Sequence, residues 1–248
     1  MEDFGAKVLI SGDFVPQDAI VALQPSNRQI DNETENQIER VWREKVAGAE
    51  RNGKLLYNGL SYRLNSYRVV DDKLFLDLGT LEYKVRDGLI AVPRYLSLPE
   101  SYWRKGLYST ATVRTSDAQY LMVELSGKSM NTNTIDLIGG VVETEPKIHD
   151  GNGIFESFLR ELEEEALVAR EEVESCRLKS LMQERRGNIA LYFEVLLRLS
   201  SADLRQRYAG AALENDIKAV AFFNRDEYLE TLRRHNPNKQ LVGQVLAI

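Results

Sequence analysis

The sequence has little cysteine, little histidine and no long apolar run, and each shortage excludes a class of protein. One cysteine, Cys176, cannot form an intramolecular disulfide, and with only two histidines in 248 residues a Cys/His metal site is not expected. No apolar stretch reaches the roughly 20 residues of a membrane-spanning helix. The opening residues also lack the basic and apolar regions of a secretory signal. We therefore expect a cytoplasmic protein with no membrane partner, in which Cys176 is a small packed apolar side chain.

The charge balance argues against a nucleic-acid partner. The chain has 38 acidic and 32 basic residues, which gives a net charge of −6. Such a surface does not attract polyanions in general. An anionic substrate would need a bound cation or a few well-placed arginines and lysines.

The first part of the chain contains patterns of both secondary-structure types. A short apolar strand, "AKVLIS", precedes a predicted helix that opens at Asp31 or Asn32 and includes "QIERVWREKV". Two alternating segments around the turn "DDK" predict a β-hairpin with Leu74, Leu76 and Leu78 on one face. A short helix is predicted at "LPESYWRKG".

After Gly106 the pattern changes to short strands separated by polar turns. The strands precede a glutamate-rich segment, a hairpin around "RRGN", a short helix and a closing strand–helix unit. We therefore predict the α+β class (mixed α/β), with a smaller N-terminal domain at residues 1–106 and a second domain at 107–248 that has a mixed sheet.

The glutamate-rich segment "GIFESFLRELEEEALV", residues 153–168, predicts an amphipathic helix capped by Asp150 or Asn152. At about 100° per residue, one stripe is apolar and consists of Phe155, Phe158, Leu159, Leu162 and Ala166. Glu161, Glu164 and Glu165 lie together beside this stripe. Like charges one turn apart destabilise an isolated helix by about 0.2–0.5 kcal/mol per pair, so a compensating interaction is expected.

Two interpretations of this acidic arc are possible: a solvated surface, or a site for a hard cation such as Mg²⁺ or Mn²⁺. The upstream segment "IDLIGGVVE" favours the cation site. Its strand ends at Gly139 and Gly140, where the backbone can approach an ion or a phosphate without a side chain in the way.

Together, "GGVVE" and "RELEEEALV" resemble the signature of the Nudix hydrolases. Arg160, Glu161, Leu162, Glu164 and Glu165 each match a position of that pattern. Two positions depart from it. A longer loop, 141–152, means that the place of the family's first glutamate falls on Asn152 or is displaced, and Leu167 replaces a glycine. The first departure affects the loop geometry and the second the exit of the helix.

The "VWREKV" helix, the "LFLDLGTLEY" hairpin and the interrupted signature also resemble a branch of this family that includes a UDP-glucose and UDP-galactose diphosphatase. The resemblance implies a mixed sheet between helices, with the N-terminal domain contributing to nucleoside recognition. It also implies Mg-dependent hydrolysis (Mn possible) of a nucleoside diphosphate linked to another moiety, in this branch a UDP-sugar, to UMP and a sugar 1-phosphate.

The resemblance implies roles for individual residues. Glu161 and Glu165 would be the principal metal ligands, Glu164 a ligand or water-orienting base, and the carbonyl of Gly139 or Gly140 a further contact. Arg160 would orient a glutamate through a charge-assisted hydrogen bond.

Several other residues have both a functional and a structural interpretation, and the sequence does not choose between them. Glu214 and Glu143 are candidate additional carboxylates, and His149, His235 and the turn "ERRGN" could contact substrate or be solvated. Four tyrosines could stack on a base or be structural: Tyr57, Tyr62, Tyr67 and Tyr83. Two other functions remain open: hydrolysis of ADP-ribose or a dinucleotide, and non-catalytic sensing of a nucleotide sugar.

Overall fold

A computed structural model of the chain describes residues 7–53, 55–126, 134–213 and 217–235. These residues form α-helices at α1 (Asn32–Arg51), α2 (Tyr83–Ile90), α3 (Gly151–Ala166), α4 (Ser201–Tyr208) and α5 (Arg225–His235). They form strands at β1 (Lys7–Phe14), β2 (Ala19–Leu23), β3 (Leu60–Val70), β4 (Lys73–Glu82), β5 (Leu107–Arg114), β6 (Tyr120–Leu125), β7 (Ile135–Asp136), β8 (Val173–Gln183), β9 (Ile189–Leu197) and β10 (Ile217–Phe223). No helix in these ranges is long and apolar enough to cross a bilayer.

The strands form two mixed sheets, so the α+β prediction is confirmed. The larger sheet has the order β1-β8-β9-β5-β6-β10, and β7 pairs with β6. Within it β5 and β9 are parallel, whereas the other pairs are antiparallel. The smaller sheet has the order β2-β4-β3. It combines a parallel pair with the predicted hairpin, whose turn residues Asp71 and Asp72 both have positive φ, as a tight hairpin turn requires.

Helices cover both faces of the larger sheet. Successive residues of a strand point to opposite faces. On β9, Phe193 stacks on Phe158 of α3 with ring centroids 4.7 Å apart. The next residue toward the N-terminus, Tyr192, bonds to Thr112, which also bonds to Tyr228 of α5. The larger sheet therefore lies between α3 and α5.

The predicted boundary at residue 106 is bridged by strand pairing. β1 lies in the N-terminal part of the chain but pairs with β8, with Lys7 opposite Gln183. The division into residues 1–106 and 107–248 therefore stays a prediction, although the three-stranded sheet and helices α1 and α2 all fall before the boundary.

Two local predictions differ from the structure. The helix predicted at "LPESYWRKG" is only a 3₁₀ turn at Glu100–Tyr102, and α2 was not predicted. Gly88 of α2 lowers the helix propensity of that segment. A side chain at Gly88 would come within 3.0 Å of the Ile38 Cα atom of α1, so this glycine allows the two helices to pack closely.

Candidate metal and diphosphate site

The structure brings the two consecutive glycines against two glutamates of α3. The amide of Gly139 donates to Glu165 Oε2 at 2.9 Å. A Cβ atom on Gly140 would lie 2.2 Å from Glu161 Oε2, and a Cβ atom on Gly139 would lie 2.1 Å from the carbonyl oxygen of Ser109. Gly139 therefore requires glycine, because backbone atoms occupy the space of a side chain, whereas a side chain at Gly140 would have to displace the Glu161 carboxylate.

The backbone of this segment belongs to the sheet. The Gly140 carbonyl, a predicted metal contact, accepts a hydrogen bond from the Ser109 amide at 2.8 Å. The Ser109 hydroxyl lies 3.4 Å from the same oxygen. This carbonyl is thus directed toward β5, and a metal contact would have to use its remaining lone pair.

The glutamate carboxylates of α3 lie near its C-terminus, where the helix dipole is unfavourable for negative charge. Asp150 caps the N-terminus of α3 by accepting from the Gly153 amide at 3.1 Å, whereas the last turn contains no basic residue. The C-terminus of a helix has a partial negative charge, so three successive glutamates at residues 163–165 oppose the dipole as well as one another. Local violations of this kind are typical of functional sites, and a bound cation would relieve this one.

Helix α4 provides hydrogen-bond donors for the carbonyl groups at the C-terminus of α3. Tyr208 donates to the Ala166 carbonyl at 2.7 Å, and Arg207 donates to the Leu167 carbonyl at 2.6 Å. Arg207 also forms a bidentate ion pair with Glu172. Leu167 itself is left-handed, with φ 50° and ψ 34°, which is the conformation that glycine adopts most easily.

This geometry predicts that the usual stability order of alanine and glycine variants in a helix is reversed at Leu167. Leu167→Gly and Leu167→Ala both remove the side chain, but only glycine removes the cost of the left-handed backbone. We expect the glycine variant to be more stable than the alanine variant by about 1 kcal/mol in urea unfolding. At an ordinary helical position the alanine variant would be the more stable one, so that order here would contradict the assigned conformation.

The three predicted glutamate ligands do not converge as a group. Among residues 7–53, 55–126, 134–213 and 217–235, no three His, Cys, Asp or Glu side chains form a metal-binding cluster. Glu161 and Glu165 are half-buried against the glycines, whereas Glu164 is exposed. The reason is angular, because Glu164 lies about 100° around the helix from Glu165. The role of half-buried Arg160 in orienting a glutamate stays a prediction.

Other candidate residues are dispersed. Glu214 lies outside the described residues, and so does the side chain of His235, which ends α5. His149 and Asn152 are exposed. Cys176 is half-buried, and burial raises the pKa of its thiol to about 12, so it is neutral and unreactive at neutral pH.

The four candidate tyrosines have different environments. Tyr62 is buried, and its hydroxyl accepts from the Ile148 amide at 3.1 Å, so it is structural. Tyr67 is exposed on β3. Tyr57 and Tyr83 lie together with ring centroids 6.4 Å apart. The hydroxyl of Tyr83 donates to Glu143 Oε1 at 2.7 Å, a contact that the sequence could not predict because the two residues are far apart in the chain.

A cavity of about 510 Å³ lies beside the segment that follows the glycines. The three-stranded sheet provides Leu60, Tyr62 and Leu78, and the segment 144–147 provides Thr144 and Lys147. Its wall is largely apolar with polar groups at particular positions, as in many small-molecule sites.

Comparisons with known proteins gave matches among solved structures only. No protein-family model matches the sequence, and no curated protein matches it. A NUDIX hydrolase from Nitrosomonas europaea is 16% identical, covering 57% of this chain and 86% of its own, with a TM-score of 0.38. The NUDIX domain of Shewanella oneidensis NrtR, complexed with ADP ribose, is also 16% identical, covering 56% and 86%, with a TM-score of 0.37.

A third match is a bifunctional NMN adenylyltransferase/ADP ribose pyrophosphatase from Francisella tularensis, complexed with AMP and a Mn ion. It is 16% identical and covers 65% of this chain and 46% of its own, with a TM-score of 0.43. Similarities of this size do not establish the family of this chain.

Proposed function

We propose that the chain is a Nudix-type hydrolase that cleaves a nucleoside diphosphate linked to another moiety, with Mg²⁺ or Mn²⁺ as cofactor. The observation that supports this most is the contact of Glu161 and Glu165 with Gly140 and Gly139. It joins the two halves of the signature, which are separated by the 141–152 loop, in one place.

The donor atoms suit a hard divalent cation. Two carboxylates next to exposed Glu164 supply oxygen ligands, and Mg²⁺ is commonly held by one or two carboxylates together with water and substrate phosphates. A bound cation would neutralise the diphosphate oxygens and make a bound water more acidic. Glu161 and Glu165 would hold it, and the exposed Glu164 would orient the attacking water and accept its proton.

We further propose a UDP-sugar, UDP-glucose or UDP-galactose, as the preferred substrate, with UMP and a sugar 1-phosphate as products. The resemblance to the UDP-sugar branch supports this choice. The cavity beside Thr144 and Lys147 is large enough for one end of such a molecule. Lys147 at its wall offers a positive charge to a phosphate.

Hydrolysis is expected to vanish in EDTA and to return with Mg²⁺ or Mn²⁺, because unneutralised carboxylates repel a diphosphate. The measurement is product formation from UDP-glucose, UDP-galactose, ADP-ribose and a dinucleoside polyphosphate, with kcat/KM highest for the UDP-sugars. Full activity in chelator would exclude the metal mechanism. A preference for ADP-ribose would exclude only the UDP-sugar assignment. If no compound is cleaved but UDP-glucose raises Tm, the chain is a sensor.

A further inference from the structure

Residues 139–143 form a short segment that begins at the two glycines next to α3 and ends at Glu143. On one side it bonds to β5, where the Val142 amide donates to the Leu107 carbonyl at 3.2 Å. On the other side the Tyr62 amide of β3 donates to the Val142 carbonyl at 2.9 Å. The segment therefore bridges the two sheets, and Glu143 belongs to the same hydrogen-bonded segment as Gly139 and Gly140.

Glu143 ends this segment and is held by Tyr83. Glu143 is exposed, yet its Oε1 accepts the Tyr83 hydroxyl at 2.7 Å. Tyr83 is the first residue of α2, and its amide donates to the Gly59 carbonyl at 2.9 Å. The guanidinium of Arg86, one turn along the helix, lies 4.5 Å from the centre of the Tyr83 ring. The ring is thus fixed from two sides.

The Tyr83 hydroxyl remains a donor at all pH values of interest. Burial first, and then the hydrogen bond with Glu143, raise the pKa of Tyr83 to about 12. The phenol is therefore protonated below that pH and can donate its hydrogen bond to Glu143.

We propose that Tyr83 is a positioning residue for the metal centre, because it holds Glu143 and so fixes the glycine segment on which the Glu161 and Glu165 carboxylates rest. This inference rests on the proposed function. It gives helix α2 of the N-terminal region a role in cation affinity, apart from any role in recognising the substrate. In this role Tyr83 and Glu143 need not touch the cation.

The test is Mn²⁺ binding without substrate, measured by calorimetry on the full chain. Tyr83→Phe and Glu143→Ala should each weaken binding by roughly tenfold, the lower end of the range for residues that orient metal ligands. Glu143→Gln keeps an acceptor for the phenol and should bind Mn²⁺ nearly as well as the wild type. Tyr67→Phe is the matched control, because it removes a hydroxyl from the exposed part of β3, away from Ser61, which forms a β-bridge with Glu143.

Three outcomes separate the possibilities. If the wild type binds Mn²⁺ and hydrolyses its substrate but Tyr83→Phe binds as tightly as Tyr67→Phe, the positioning role is wrong and the proposed function stands. If Tyr83→Phe lowers unfolding stability in EDTA without changing Mn²⁺ affinity, the contact is purely structural and the positioning role is again wrong. If the wild type neither binds Mn²⁺ nor hydrolyses any diphosphate, the proposed function itself fails.

Discussion

Glu165→Gln is expected to lower turnover by about 100-fold or more, which corresponds to about 3 kcal/mol of activation free energy. The glutamine oxygen can still accept the Gly139 amide, which now bonds to Glu165 at 2.9 Å, so the fold should persist. A negative charge is lost from the last turn of α3, where it opposes the helix dipole and its neighbours. In the absence of metal, Tm should therefore be unchanged or slightly higher.

Glu163→Gln is the matched control for this experiment. It removes the same charge from the same helical turn, but Glu163 is exposed and is not a predicted ligand. It should share the small gain in Tm and keep its turnover. If both variants keep the turnover of the wild type, the acidic arc is only a solvated surface.

Alanine substitutions at the two adjacent glycines should have different effects: Gly139→Ala should lower stability, whereas Gly140→Ala should lower metal binding and turnover. At Gly139 a Cβ atom would meet the Ser109 carbonyl oxygen at 2.1 Å and the Thr110 Cα atom at 2.7 Å, and φ is +148°. These are backbone atoms that cannot move aside. We expect Gly139→Ala to lower the free energy of unfolding by roughly 3 kcal/mol or more, as overpacking and backbone strain act together.

At Gly140 the obstacle is the Glu161 carboxylate, the far end of a flexible side chain. Gly140→Ala should therefore fold with nearly wild-type stability and should displace Glu161 from the glycine segment. We expect weaker Mn²⁺ binding and turnover lower by about 10- to 100-fold, as for other losses of metal-ligand geometry. Urea unfolding and Mn²⁺ titration of both variants check this contrast. An active Gly140→Ala variant would exclude Glu161 as a ligand.

The sequence predicted those features that depend on local periodicity. The spacing of Phe155, Phe158 and Leu162 placed α3 against the core, and all three are buried. The alternation of Leu74, Leu76 and Leu78 predicted one buried face of the hairpin, and these residues are fully buried. In both cases the pattern reflects a single element with one apolar side.

Features that depend on distant partners could not be predicted. Gly88 weakened the signal for α2, although contact with Ile38 makes it necessary there. The bond between Tyr83 and Glu143 joins residues of two elements with no shared pattern. Glu164 is exposed whereas Glu161 and Glu165 are half-buried, because the glycine segment packs against only one side of α3, and the sequence did not show which side. The signature singled out Glu161, Glu164 and Glu165 as candidate ligands, but it did not predict which of them meet the glycine backbone.

The pairing of β1 with β8 has a consequence for how the molecule is made. Lys7 leaves the ribosome long before its partner Gln183 is synthesised. At 5–20 residues per second the delay is roughly 10 to 35 seconds. During that time the nascent β1 segment has no strand to pair with, whereas the β3–β4 hairpin can already form from neighbouring residues. The larger sheet can thus acquire its β1 edge only after β8 has been translated.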